Sequence, residues 1–361
     1  MANILIISAL QVFPTLSGGH QRTALIASGL AAARHRVTLF SLIGRKYDML
    51  RGRRSSESTI MPSLAEKVLR PRRLWLKAML AYRRGIPPLW AGEYLRQKAS
   101  LISEVSAKSD VIIFDSPYTF TDLTSTSQLR VLNSHNVETD LFSNSSQKIR
   151  NAVNNLEIRA AKGCDIIACA STVEQQHFSE LHRDASIIHI PNIVDSRRFS
   201  RPDPESCLEL RGKLGIPENA QILFFPASRY GPNEEALAFI KDFSNHHRAL
   251  LEQLDIYILV VGSVARSKSQ FDRLIITGPV PKIEPFFAIA NWGFNPIFQG
   301  SGTSVKVAEM IAAGLPLLTT NIGARGFKLE HSISALFFDR ESLANLLPKL
   351  RITSAKIDEM V

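Results

Sequence analysis

Residues 299–309, QGSGTSVKVAE, bring together residue types that hold an anion. Gly300 and Gly302 let backbone N–H groups approach a ligand closely, and Thr303 and Ser304 can cap the apolar-periodic run from Val305 to Ala313. A helix N-terminus offers N–H donors and a partial positive charge, to which Lys306, about one turn in, adds a full charge. Phosphate suits this chemistry. Glu309 lies three residues beyond Lys306, so the two side chains share a helix face and can serve a phosphate end and a hydroxyl-bearing end of one ligand. Gly-Ser-Gly-Thr is also an ordinary loop and cap, and that alternative stays open here. Two histidines are further candidates: His135, in SHNVE after a strand-like run, and His20, beside the pair Gly18 and Gly19. A histidine at a strand end also serves structurally. Glu138 closes the SHNVE stretch. No Asp-x-Asp occurs, which points away from a metal-bridged diphosphate and predicts metal independence.

The elements around these residues alternate. NILIISAL (3–10) reads as a buried strand, followed by a loop holding Gly18 and Gly19, a helix to about Arg34 and a strand at 37–42. Strand-like runs follow at 110–115, 130–135, 165–171 and 186–192, with a polar helix near 140–162. Residues 195–218 read as a linker plus a short helix. A second series has strands at 221–227, 256–262, 274–278, 293–297, 315–320 and 335–339 and a helix near 233–245. Strands alternating with crossovers predict parallel sheets, and two such series predict two Rossmann-like domains, 1–195 and 196–361. In such sheets ligands bind at the carboxyl ends of the strands.

The net charge of +10 is local. Between Arg45 and Lys98 fourteen Lys and Arg face four acids, and the remainder is balanced. This belt reads as basic helices at about 45–98. Within it, RPRRLWLKAMLAYRRGIPPLW interleaves Leu74, Trp75, Leu76, Met79, Leu80, Tyr82 and Trp90 with six basic residues, the pattern of an interfacial helix on an anionic membrane. A helix packing its apolar residues inward beneath a solvated basic edge fits equally well. Nucleic acid is not expected, because no helix-turn-helix, RNP or zinc signature accompanies the charge. No apolar run approaches the ~18 to 20 residues that span a bilayer, and MANILIISAL reads as a first strand, so a cytoplasmic chain is expected. Cys164, Cys169 and Cys207 form no CxxC pair, against a disulfide framework or structural zinc.

Several stretches, collinear over most of the chain, resemble the GT-B glycosyltransferases of the group 1, or GT4-like, superfamily. They are SGGHQR, SHNVE, ASTVEQQHF, IPNIVD, SRYGPNEEAL, VVG, TGPVPKIEPFFAIANWGFNP and, most specific, GSGTSVKVAEMIAAGLPLLTTNIGARG (300–326). The resemblance implies an α/β fold of two Rossmann-like domains whose parallel sheets face each other across a cleft. The acceptor is then expected on the first domain and a nucleotide-sugar on the second, with transfer commonly retaining. It further implies that the turn and Lys306 hold the diphosphate, that Glu309 accepts from ribose hydroxyls, and that Arg229 reaches the same diphosphate. Gly278 to Val280 would line the nucleobase, Gly18 and Gly19 would approach the diphosphate, and His135 or His20 would orient acceptor or donor sugar.

The expected activity is hexosyl transfer from a UDP- or GDP-sugar, with no cofactor, to a glycan, lipid-linked or small-molecule acceptor of the cell envelope. Membrane contact, on the inner face, would run through 70–98. A GT-B sugar-nucleotide epimerase and a non-catalytic nucleotide-binding regulator are the alternatives. Three departures from the family pattern stand out. Ser301 occupies the position of a frequent Glu, Glu234 that of a frequent second basic residue, and one helix is expected after Asp339 where relatives add a closing helix.

Overall fold

The computed structural model describes residues 1–15, 18–44, 55–69, 72–122, 127–199, 203–300 and 302–350. The chain forms two compact units, one of residues 1–192 with 301–303 and one of the remainder, so the main division falls a few residues before the predicted boundary. In the first, strands β1 (Asn3–Leu10), β2 (Arg36–Ile43), β3 (Ser55–Met61), β4 (Leu64–Leu69), β5 (Val111–Asp115), β6 (Leu129–Asn133), β7 (Ile166–Cys169) and β8 (Ser186–His189) form one sheet. Its order is β3-β4-β2-β1-β5-β6-β7-β8, and only β3 runs antiparallel to its neighbour. β1 lies inside because Ile4 to Ile7 are apolar on both faces: Leu5 and Ile7 enter one buried cluster, Ile4 and Ile6 the other.

The second unit repeats the scheme with β9 (Gln221–Pro226), β10 (Ile256–Val261), β11 (Ser269–Phe271), β12 (Leu274–Ile276), β13 (Trp292–Asn295), β14 (Leu317–Thr319) and β15 (Ala335–Phe337). The order is β11-β12-β10-β9-β13-β14-β15, with β11 antiparallel. Here Leu223 and Phe225 of β9 face one cluster, Ile222 and Phe224 the other. Both sheets reverse strand order once, between β1 and β5 and between β9 and β13. Those are the switch points at which such sheets hold ligands. The molecule is a two-domain α/β protein.

Several expectations need correction. The basic belt is not helical throughout: residues 55–69 form the β3–β4 hairpin, and the first helix within the belt's described part is Arg72–Arg83. Along β4 burial alternates, with Leu64, Glu66 and Val68 inward. Glu66 belongs inside because its carboxylate accepts from the Val12 N–H at 2.7 Å, the Phe13 N–H at 3.1 Å and the Ser41 hydroxyl at 2.7 Å. Residues 45–54 and 70–71 of the belt lie outside the described residues. In the helix Arg72–Arg83, Leu74 is buried and Trp75 packs partly on the core, as does buried Trp90 of the helix Trp90–Gln97, so the tryptophans serve the domain interior. Leu76 and Leu80, at i and i+4, stay exposed.

The stretch read as a linker plus a short helix does hold a helix, Pro204–Leu214, started by the Asp203 carboxylate accepting from the Ser206 N–H at 3.1 Å. Left-handed Gly215, φ 69°, ends it. Gly18 and Gly19 are the first residues of a helix, Gly18–Ala32, and not a loop. After Asp339 a short helix, Leu343–Leu346, and a 3-10 turn, Leu347–Lys349, close the described chain. No helix among the described residues is long and apolar enough to cross a membrane.

Candidate functional site

The glycine turn follows β13, which pairs with β9 at the switch point. Gly300 (φ 137°) and Gly302 (φ 73°) occupy backbone regions that side-chain-bearing residues avoid, so both glycines are conformational requirements. The Arg325 guanidinium donates to the Gly300 carbonyl and ties the turn to the TTNIGARG segment. That segment is itself anchored: the Asn295 amide donates to the Gly323 carbonyl at 3.0 Å, and a Cβ at Gly323 would fall 2.7 Å from Asn295 and Thr319 side-chain atoms. The helix Val305–Ala312 then begins. Ser304 holds its N-cap position without a side-chain cap bond, contrary to the capping expected of it.

Lys306 is partly buried, and its ammonium donates to Asn233 Oδ1 at 2.6 Å and lies 4.3 Å from the centre of the Phe225 ring. Asn233, on the helix Gly231–His246, is aimed by donating its own amide to the Ser228 carbonyl at 2.7 Å. Burial pushes the ammonium down to about 7, against the pull of the Glu309 carboxylate. A lysine so placed gains much from an arriving anion. Glu309, buried on the same helix, accepts through Oε1 from Arg198 Nη1 at 3.3 Å.

The other residues expected around the nucleotide are placed as follows. Arg229 is exposed, pairs with Glu234 at 3.4 Å and takes a backbone bond from its own N–H to the Ser263 hydroxyl at 3.1 Å. Gly278, φ 69°, passes so close to the Ser267 backbone that a Cβ would lie 3.2 Å from it. Val280 packs partly on the apolar cluster beneath, so its side chain does at least part of its work in the core. Thr303 is partly buried, and Ser301 lies outside the described residues.

The first unit gathers a second polar cluster at the carboxyl ends of β1, β5 and β6. His135, two residues past β6, donates from Nε2 to Asp115 Oδ1 at 2.8 Å. The same oxygen accepts from Thr23 Oγ1 at 2.7 Å and Asn133 Nδ2 at 2.9 Å, while Oδ2 accepts from Ser8 Oγ at 3.0 Å. Burial raises the Asp115 carboxyl, but the charge and hydrogen bond of His135 with the Thr23 and Asn133 bonds outweigh it and hold the carboxyl below its usual range. Nε2 is committed to Asp115, and Nδ1 faces the start of the helix Gly18–Ala32: a Cβ on Gly19 would sit 3.7 Å from it. Arg22 braces the cluster, donating to Asn133 Oδ1 at 3.2 Å and the Ile190 carbonyl at 2.7 Å. His20, on the same first helical turn, is partly buried. Glu138 is buried with Tyr118, whose hydroxyl donates to it at 2.8 Å, so it belongs to an interior network.

Sequence reading missed Asp115, Asn233 and Arg198. Asp115 ends the strand run DVIIFD, and an acid at a strand's carboxyl end beside a switch point was the available signal. Asn233 and Arg198 carried none, because their partners lie 73 and 111 residues away.

The geometry describes a two-domain α/β protein with a glycine turn leading into the helix Val305–Ala312 and an Asp–His pair at the strand ends of the first sheet. Comparison with known proteins makes it specific. Residues 220–350 match the family model described as Glycosyl transferases group 1. Sucrose-phosphate synthase from Thermosynechococcus elongatus is similar at TM-score 0.72 and 16% identity, over 98% of this chain and 91% of that one. Anabaena HepE, solved with UDP and glucose, is similar at TM-score 0.66 and 15% identity, over 99% and 92%. WaaG, a glycosyltransferase involved in lipopolysaccharide biosynthesis, is similar at TM-score 0.62 and 18% identity, over 98% and 93%. No curated protein sequence matches. The chain has the GT-B fold, and the match to group 1 glycosyl transferases extends over residues 220–350.

Proposed function

We propose that the chain transfers a hexose-type sugar from a UDP- or GDP-sugar to a glycan, lipid-linked or small-molecule acceptor, with retention and without a metal ion. The observation that carries this is the Lys306–Glu309 face of the helix Val305–Ala312 behind its glycine turn, within the segment that matches group 1 transferases. The diphosphate leaves as the bond from the anomeric carbon to its oxygen breaks. Lys306 and the N–H groups of the turn stabilise the charge that develops there. The acceptor oxygen bonds to the anomeric carbon from the same face, and its proton passes to the leaving phosphate oxygen, so no separate base is required. His135, oriented by Asp115, serves sugar hydroxyls. Arg229 is read as a second diphosphate contact once it leaves Glu234, and Gly278 as the close approach to the base. A cytoplasmic location, on the inner face of the membrane, goes with a lipid-linked acceptor.

A thermal-shift panel of UDP, GDP, ADP and TDP, on wild type and Lys306→Ala, with and without EDTA, tests the reading. Ligand at 100 times its Kd stabilises the folded state by about 2.7 kcal/mol, which a melt resolves. One nucleotide family is expected to stabilise wild type, with most of the shift lost in Lys306→Ala and none to EDTA. Stabilisation by no nucleotide would sink the donor site. A shift lost to EDTA would sink metal independence.

A further inference from the structure

Arg198 stands on the 3-10 turn Ser196–Phe199, at the start of the stretch read as a linker plus a short helix. Its guanidinium joins two carboxylates of the second unit. Nε donates to Glu284 Oε1 at 2.9 Å, Nη2 pairs ionically with the same oxygen at 2.8 Å, and Nη1 donates to Glu309 Oε1 at 3.3 Å. The two acids come from different helices, Glu284–Ile289 and Val305–Ala312. Each element is fixed independently. Phe199, next in sequence, packs edge-on against Phe287 at 4.8 Å, and Phe287 packs likewise on Phe224 of β9, so the turn is pinned to the sheet. Glu284 is held in turn by the Ile283 N–H, which donates to its Oε2 at 3.1 Å.

This arrangement does more than neutralise charge. Glu309 is buried, and a buried carboxylate without a cation would shed its charge or seek another rotamer. The planar guanidinium, held by Glu284, gives the Glu309 carboxylate a fixed donor to orient towards. Arg198 meets Glu309 end-on through a single Nη, whereas its contact with Glu284 uses two nitrogens. Glu284 is therefore the anchor and Glu309 the carboxylate being aimed.

We infer that Arg198 is the positioning residue that sets Glu309 for recognition of the ribose hydroxyls of a nucleoside diphosphate, with Glu284 as its brace. The inference rests on the reading of Glu309 given above, and it adds a specificity determinant outside the family-matched segment. It predicts that Arg198 governs discrimination of ribose and not binding of the phosphates.

The test is calorimetry on the full chain with UDP and 2′,3′-dideoxyuridine diphosphate, or the analogous pair for whichever base the thermal panel selects. Wild type should favour the ribonucleotide by about tenfold or more, the scale of a hydrogen bond to a charged group. In Arg198→Ala that ratio should fall towards one through loss of ribonucleotide affinity alone. Arg198→Lys should restore part of it, and Glu284→Gln should weaken the preference less than Arg198→Ala. A preference that survives in Arg198→Ala overturns the proposal, as does tighter ribonucleotide binding, which would make Arg198 a competitor for Glu309. Equal losses for both ligands in a variant that melts like wild type also overturn it. A wild type with no ribose preference, or a preference that Glu309→Gln leaves intact, overturns the reading of Glu309 itself.

Discussion

At the scale of single residues the two clusters use opposite electrostatics. Asp115 is a carboxylate made comfortable in the interior by four donors, whereas Lys306 is a cation with one hydrogen-bond acceptor, a ring face and a carboxylate one turn away. Lys306 is thus poised to gain a proton with its ligand. At pH 8 an ammonium held down to about 7 is mostly neutral, and a diphosphate beside it restores the charge. Titration of the cognate nucleoside diphosphate in two buffers of different ionisation enthalpy should show uptake of close to one proton at pH 8. Little uptake is expected at pH 6. Lys306→Ala should abolish the uptake and weaken binding by about 10- to 100-fold, as expected for a hydrogen bond to a charged group. Uptake unchanged in the variant would assign the proton elsewhere. Asp115→Asn keeps the shape of its cluster but no longer fixes which ring nitrogen of His135 carries the proton. Sugar transfer should fall by about 100-fold or more while nucleotide affinity stays constant, and a variant with full turnover would remove His135 from the reaction.

At the scale of elements, what could be read from the sequence followed burial on both faces. β1, β9 and β10 are apolar runs and were legible almost to the residue. The β3–β4 hairpin was not, because its inward positions include Glu66 and its neighbours are rich in arginine, so charge masked a period of two. Of the candidate site, the glycine turn and the helix start were legible because glycines and an apolar-periodic run fall within about ten residues. Asp115 with His135, and Arg198 with Glu309, meet only after folding, and spacing gives no sign of either pair.

The helices Glu138–Leu141 and Gln147–Lys162 meet over another such contact. Glu157 is fully buried and accepts from the Glu138 N–H at 2.7 Å and the Thr139 hydroxyl at 2.6 Å. Burial, then the Glu157 charge, raises the Glu138 carboxyl from 4.5 to about 7 despite the Tyr118 bond. The folded state therefore holds a proton that the unfolded chain gives up near 4.5. The stability this confers is complete below that pH and is lost as pH rises through about 7. Glu138→Gln keeps an acceptor for Tyr118 and has no proton to lose. Between pH 5 and 8 wild type should lose on the order of 2–3 kcal/mol relative to Glu138→Gln in urea unfolding. Parallel curves would place the Glu138 titration at its ordinary value.

At the scale of the whole molecule the charge is a property of one segment, because the surplus between Arg45 and Lys98 accounts for the full +10. Folding turns the tryptophans of that segment inward, which removes the anchors an interfacial helix would use, but it leaves Leu76 and Leu80 exposed one turn apart. Exposed Arg73, Lys77 and Arg84 flank them, with Lys77 also paired to Glu93 across to the helix Trp90–Gln97. Such a face offers modest apolar insertion with strong electrostatic attraction, so contact with an anionic bilayer should be reversible and salt-sensitive. Sedimentation with vesicles of phosphatidylcholine alone should leave the protein in solution, and adding phosphatidylglycerol should bring it down. Each basic residue near the surface contributes about 1 kcal/mol, so Arg73→Ala with Arg84→Ala should weaken the partition by about 10- to 30-fold. Leu76→Ser with Leu80→Ser should weaken it less, because at low salt charge does most of the attracting. Raising the salt should release wild type and the leucine variant alike. No binding to anionic vesicles would mean that the belt is a solvated edge, and binding that resists salt or ignores lipid charge would assign the contact to an apolar surface and not to the belt.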